Sequence, residues 1–275
     1  MGRRLERKPT FAVVVTLVFF AWLYLPILAV ALFSLNDTKS LSAFTGFSLR
    51  WYDDLVHNSV LLDSLVASLK IATVATLASL VLGTMLALGL ERVRRGSRAI
   101  GAVTLLPLVT PEIVTGVAAL LLFNGIGLKL SMTTVILAEI TFSIAYVTVI
   151  VRGRLAGVAG EVEEAARDLG CTPFQALRLV ILPTLVPALV GAGLLVFALV
   201  FDDFVLAFFT TGVDPQPLPV RVYSSIRFGI SPAINAIGTL MLLGSALLIV
   251  AAIVLPRWLS RGSSSLDLIT GGERR

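Results

Sequence analysis

The sequence predicts an all-α integral membrane protein of six transmembrane helices with both termini on the cytoplasmic side. Three observations carry that expectation. Apolar residues make up 57% of the 275-residue chain, and they come in long unbroken runs with a mean hydropathy of +0.95. Charged residues account for only 14%, where soluble domains carry about 25%. The basic residues also segregate onto alternate connections between the apolar runs. Runs of about 20 apolar residues match the roughly 30 Å hydrocarbon core at about 1.5 Å rise per residue. A lipid-exposed backbone must satisfy its own hydrogen bonds, so helices are the expected form at these lengths.

Taken in order, residues 1–9 form a basic cytoplasmic N-terminus and residues 10–34 the first transmembrane helix. That run exceeds the 7–15 residues of a signal peptide's apolar core, and no small-x-small cleavage pattern follows Ser34, so it reads as a retained anchor. Residues 35–63 form an extracytoplasmic loop, with an amphipathic stretch from Asn58 expected to lie at the interface as a short helix. The main transmembrane domain spans 64–255, with helices at 71–90, 99–123, 131–151, 184–210 and 233–255 and a long connection at 152–183. The helix at 184–210 is long enough to require tilt. In the helix at 71–90, Ala75, Ser79, Gly83 and Ala87 form a small-residue stripe that admits a close neighbour, expected within the chain itself. Residues 256–275 form a cytoplasmic tail, polar and read as disordered from Ser260. No internal repeat is evident.

Sixteen Lys and Arg residues fall on one side under this topology: four each in the N-terminus (Arg3, Arg4, Arg7, Lys8), at 92–98, at 152–178 and in the tail. Five fall on the other side, namely Lys39, Arg50, Lys129, Arg221 and Arg227. Lys70 sits at the outer boundary, where its stem can snorkel. The positive-inside rule then places both termini in the cytoplasm. The net charge of +5 is accounted for by topology, so no nucleic-acid partner is expected. One cysteine, Cys171, and one histidine, His57, leave no disulfide framework and no intrinsic metal site.

The connection at 152–183 breaks the apolar character of the chain. Glu161, Glu163 and Glu164 open a helix at its positive end. Gly170 suits a left-handed stop, Thr172 an N-cap, and Pro173 the first position of a second helix. Phe174, Leu177 and Ile181 follow at helical spacing, and Pro183 marks the join to the next span. Helix–helix connections need only about 2–8 residues. A well-capped element of this length suggests a docking surface.

The stretch EAARDLG at 164–170, followed nine residues later by VILP at 180–183, resembles the EAA motif of permease subunits of ABC importers. Glu164, Ala165, Ala166, Gly170, Leu182 and Pro183 match the pattern, and Val180 stands where Ile is usual. The resemblance implies the type I ABC importer transmembrane fold. It also implies a coupling helix seated in a cleft of a separate ATPase subunit, where Ala165 and Ala166 permit close approach and Glu164 offers a charge. No G-x-x-x-x-G-K-[ST] occurs, so the chain is not expected to hold nucleotide or to act as an enzyme. It binds no cofactor itself under this expectation; ATP and Mg belong to the partner ATPase.

Four carboxylates fall inside the expected spans: Glu112, Glu139, Asp202 and Asp203. A charge at the bilayer centre costs at least about 2.5–3.5 kcal/mol on insertion scales, so such residues face a cavity or a partner. They are candidates for a cation path, with Phe201, Phe204 or Phe208 adding cation–π contacts. Adjacent helical residues point about 100° apart, so Asp202 and Asp203 are not both expected on one pore wall.

GFSLRWYDDL (46–55), TPEIV (110–114), FDDFVLAFFTTG (201–212) and LPVRVYSSIRFGISPAINA (218–236) look like the second permease of spermidine/putrescine importers. Glu112 stands where that family often has Asp; charge is kept on a longer arm. The resemblance implies polyamine import by alternating access in a bacterial inner (plasma) membrane. Its implied partners are two ABC ATPase subunits, a sister permease and an extracytoplasmic polyamine-binding protein, together with the lipid bilayer. Two alternatives stay open: an ABC permease for ferric ion, an opine or an anion, and an ion-gradient secondary transporter.

Overall fold

Two backbone breaks set the architecture. The structure is a computed structural model and describes residues 10–40, 43–92, 96–156, 159–213, 215–227 and 232–270. The N-terminus 1–9, Arg94, Arg95, the side chain of Glu161 and residues 271–275 lie outside them. Twelve α-helices follow in order: α1 Thr10–Phe33, α2 Arg50–His57, α3 Ser59–Arg92, α4 Ser97–Val109, α5 Glu112–Gly125, α6 Met132–Leu155, α7 Ala159–Asp168, α8 Pro173–Ala176, α9 Leu182–Asp202, α10 Val205–Thr210, α11 Leu218–Arg227 and α12 Pro232–Thr270. A π-helical turn, Leu177–Ile181, joins α8 to α9. Among the described residues five helical stretches are long and apolar enough to cross a membrane, and the bent α4–α5 pair makes a sixth if counted as one span.

That bent pair corrects the single helix expected at 99–123. The chain turns by 108° between α4 and α5. Thr110 is extended with ψ 135° and Pro111 with ψ 132°. Proline lacks an N–H and disfavours helical geometry in the residue before it. The second break corrects the helix expected at 184–210. Here α9 ends at Asp202, Asp203 is extended (ψ 123°), and α10 restarts at Val205. The Asp203 carboxylate accepts bonds from Val205 N at 2.9 Å and Leu206 N at 3.1 Å. A side chain offering the backbone that alternative competes with continued helix.

Two other expected boundaries also shift. Pro183 does not interrupt the helix, because the π turn precedes it: Leu182 N donates to Leu177 O, five residues back. An apolar helical stretch therefore runs unbroken over Pro173–Asp202. The tail read as disordered from Ser260 is helical to Thr270. A helix already nucleated in an apolar span extends at the cost of one residue per hydrogen bond gained. In the same way α3 begins at Ser59, so the stretch from Asn58 is continuous with the span behind it.

The chain forms two units. One comprises the described residues up to Ser59 together with Val222–Leu242. Beyond α1, Asn36 organises the loop by donating to Ser40 O (2.8 Å) and Ala43 O (3.0 Å) and accepting from Thr45 N (2.8 Å). Trp51, buried on α2, donates from Nε1 to Asn36 O at 2.6 Å.

The other unit comprises Val60–Arg221 and the chain from Leu243. Lipid gives helices no hydrophobic drive toward each other, so close approach through small residues carries their packing. Ala75, Ser79, Gly83 and Ala87 are all buried, and a Cβ on Gly83 would lie 2.7 Å from Val147 Cβ of α6. The stripe is intrachain packing. Gly193 meets Leu80 of α3, and Gly191 admits the Pro256 ring of α12. At one end, Arg152 Nε bonds Glu91 at 2.9 Å, Arg92 pairs with Glu163 of α7 at 3.6 Å, and Arg154 Nε donates to Thr184 O at 3.4 Å.

The short α10 packs on α5, where a Cβ on Gly116 would lie 2.8 Å from Phe209 Cδ2. Phe123, Ala138 and Leu206 form a buried cluster between α5, α6 and α10. Thr134 Oγ1 donates to Thr210 O at 2.7 Å, and a Cβ on Gly212 would run into the Leu130 carbonyl oxygen.

Candidate functional site

The two breaks converge on one cavity of about 550 Å³ in the second unit. All four intramembrane carboxylates line it: Glu112, Glu139, Asp202 and Asp203. Each arrives by a different device. Glu112 is the first residue of α5, swung in by the bend at Pro111. Asp202 is the last residue of α9 and accepts a short bond from Ser245 Oγ. Asp203, extended between two helices, turns toward Glu112 and Glu139 while capping α10. The sequence expectation that Asp202 and Asp203 diverge by 100° therefore fails, because they are not consecutive residues of one helix.

Glu139 is the most enclosed of the four, 1% exposed, with Oε1 lacking a hydrogen-bond partner among the described residues. From Glu139 the α6 face continues along the cavity through Phe142, Ser143 and Tyr146. Sequence reasoning omitted these three; the i+3, i+4 and i+7 offsets from Glu139 identify them. Ser245, 43 residues from Asp202, has no comparable signal. Of the three aromatics suggested for cation–π contact, Phe204 lines the cavity, while Phe201 is buried and stacked on Phe197 at 6.2 Å. Phe208 is not among the lining residues; its ring lies 5.3 Å from that of Phe204. Chemically the cavity offers four clustered carboxyl groups between apolar and aromatic walls, with no Lys or Arg among its lining residues. That arrangement suits an ammonium group.

The second candidate region is the α7–α8 pair. Gly170 adopts φ +91°, Thr172 Oγ1 accepts from Gln175 N at 3.3 Å, and Gln175 Oε1 accepts from Thr172 N at 2.8 Å. The capping chemistry read from sequence is in place. Ala166 and Ala176 face inward and are buried, while Glu164, Ala165, Leu182 and Pro183 are exposed and Val180 is half-buried. Leu169 is 87% exposed and Phe174 69%. Glu163 is held against Arg92, so the two adjacent glutamates divide: one ties the element to α3, and the other faces away.

A helical membrane chain with an exposed, capped helix pair at one end and a carboxylate-lined cavity within the bundle has the makings of a transport subunit. Its sequence assigns the class: the chain belongs to the family of binding-protein-dependent transport system inner membrane components, whose model matches residues 79–264. It is 38% identical over 244 residues to the putrescine transport system permease protein PotI of Escherichia coli K12, covering 86% of each chain. It is 35% identical over 241 residues to the spermidine/putrescine transport system permease protein PotC of Haemophilus influenzae, covering 87% of this chain and 94% of that one. Among solved structures it is similar to a chain of a bacterial ABC transporter involved in the import of the acidic polysaccharide alginate. The TM-score there is 0.67 at 17% identity, covering 94% of this chain and 99% of that one. A chain of the inward-facing MetNI methionine ABC transporter matches with a TM-score of 0.63 at 20% identity, covering 73% and 96%. The structural matches establish the fold.

Proposed function

We propose that this chain is one of two different permease subunits of an ATP-driven importer that carries polyamines, putrescine or spermidine, across the bacterial inner membrane. The observation that carries the proposal is the gathering of Glu112, Glu139, Asp202 and Asp203 in one cavity of a chain related over 86% of its length to a putrescine permease. A polyamine is a flexible chain of methylenes between ammonium groups. The carboxylates match its charge, and Leu195, Ala198 and Phe142 offer apolar wall to its methylenes.

Six spans, the third of them the bent α4–α5 pair, put both termini and the α7–α8 pair in the cytoplasm under the positive-inside rule. There Glu164, Ala165 and Gly170, with Val180, Leu182 and Pro183 behind them, form the contact with a separate ATPase subunit, while Ala166, expected at that contact, is buried and packs α7 within the chain. Exposure of Leu169, Phe174 and Glu164 supports a docking role. Two such ATPases bind and hydrolyse ATP with Mg. The sister permease completes the pore, and an extracytoplasmic binding protein delivers the polyamine. Closure of the ATPase pair moves α7 and α8, and the unbroken stretch from Pro173 carries that motion to Asp202. The cavity is thereby offered alternately to the two sides.

The test is ATP-dependent uptake by the four-component complex in proteoliposomes. Saturable uptake of labelled putrescine or spermidine is expected. Uptake of ferric ion, an opine or an anion in preference to either polyamine would overturn the substrate assignment. Uptake at full rate without the ATPase subunits would overturn the importer class.

A further inference from the structure

Five helical threonines share one habit, and Ser245 departs from it. Thr73, Thr104, Thr141, Thr184 and Thr239 each donate to the carbonyl four residues back on their own helix, at 2.7–2.8 Å. That bond is open to a serine or threonine in any helix and needs no neighbour. Ser245 on α12 is buried and spends its one proton elsewhere: its Oγ reaches across to α9 and donates to Asp202 Oδ2. Ile249, one turn further along α12, lines the same cavity, so the face carrying Ser245 is part of its wall.

This bond divides the four carboxyls. Asp203, extended after the end of α9, turns toward Glu112 of α5 and Glu139 of α6. Asp202, the last residue of α9, is held toward α12 instead, with Ser245 as its hydrogen-bond partner among the described residues. A hydroxyl donating to a carboxylate makes a short, strong tether. It occupies one oxygen; Oδ1 carries no hydrogen bond among the described residues, and Asp202 remains exposed. An aspartate has two rotatable side-chain bonds, so fixing one oxygen aims the other.

We propose that Ser245 is a positioning residue: it holds the Asp202 carboxyl apart from the other three as a second anchor, so that the cavity selects a cargo with an ammonium group at each end. The proposal rests on the polyamine reading above and adds the residue that enforces the two-ended requirement. Ser245 acts through Asp202, not on the cargo. A monoamine fills one anchor and leaves the acid at the other desolvated without a partner, a cost that a diamine avoids.

The test measures binding of labelled putrescine to the assembled complex in detergent, without binding protein or nucleotide. Displacement by unlabelled putrescine is compared with displacement by n-butylamine, which keeps the four-carbon chain and one ammonium. The wild-type complex is expected to favour putrescine at least about thirtyfold. Ser245→Ala is expected to cut that preference about fivefold by weakening putrescine, with n-butylamine within about twofold of wild type. Ser245→Thr keeps the hydroxyl and is expected to hold the preference within about twofold of wild type, while Asp202→Asn lowers it at least as far as Ser245→Ala does. A merely structural role weakens both amines alike, and that outcome would overturn the proposal. So would an unchanged preference in Ser245→Ala, or a Thr variant as unselective as Ala. A wild-type complex that takes up putrescine yet shows no preference for it over n-butylamine would also overturn it, and the importer reading would stand. Failure of that reading looks different, because the wild-type complex then takes up no polyamine even with binding protein and ATP.

Discussion

Asp203 does two jobs that a pair of substitutions can separate. Its carboxylate caps α10 through Val205 N and Leu206 N, and it contributes one of the four acidic side chains of the cavity. With six residues, α10 is far too short to hold its helical form alone. Asp203→Ala removes both acceptors and leaves two N–H groups unpaired where water is scarce. Loss of a capping side chain costs about 1–2 kcal/mol. At roughly 2–4 °C per kcal/mol for a chain of this size, the melting temperature falls by about 2–8 °C. Asp203→Asn keeps a carbonyl oxygen for one of the two bonds, so it loses well under about 1 kcal/mol. Both variants abolish the charge. Thermal unfolding of the detergent-solubilised complex is expected to place the Asn variant near wild type and the Ala variant several degrees below. Putrescine uptake is expected to fall at least about tenfold in both. An Asn variant that melts as low as Ala would refute the capping account, and one that transports at the wild-type rate would refute the charge account.

Gly212→Ala drives a methyl into the Leu130 carbonyl, a backbone atom that cannot rotate away; a loss of about 1–3 kcal/mol is expected, read as a lower melting temperature. Gly170→Ala meets no atom within 4 Å, so its cost of about 1–2 kcal/mol arises entirely from the φ of +91°, and Gly170→Asn is expected to recover much of it. Glu164 has no hydrogen-bond or ion-pair partner among the described residues; Glu164→Ala is expected to leave the melting temperature unchanged while lowering uptake and binding-protein-stimulated ATPase together. Reversal of either charge in the Arg92–Glu163 pair costs less than about 1 kcal/mol, and the double swap restores coupled uptake if that pair ties α7 to α3.

Local chemistry made the α7–α8 element legible. Gly170, Thr172 and Pro173 each act within two or three residues, so their order in the chain already states the turn. The four carboxylates were legible for a similar reason, since each is an anomaly in its own apolar run. Their convergence was not. The break at Pro111 carries a signal, the residue before proline, but apolar runs on both sides conceal it in a single span. The break at Asp203 carries neither proline nor glycine; it depends on a carboxylate outcompeting a peptide carbonyl, which the pattern FDDF does not disclose. Periodicity describes continuous helices, and the cavity is built where continuity fails.

The π turn at Leu177–Ile181 lets a proline sit inside a rod instead of ending it. Thirty residues from Pro173 to Asp202, at 1.5 Å each, make a strut about 45 Å long. A rotation of about 5° at its foot sweeps Asp202 sideways by about 4 Å, more than the width of a hydrogen bond. With Asp202 moves the anchor of Ser245 on α12. Under the proposed coupling, a small turn at the surface would be geared up into a change of partners deep in the bundle.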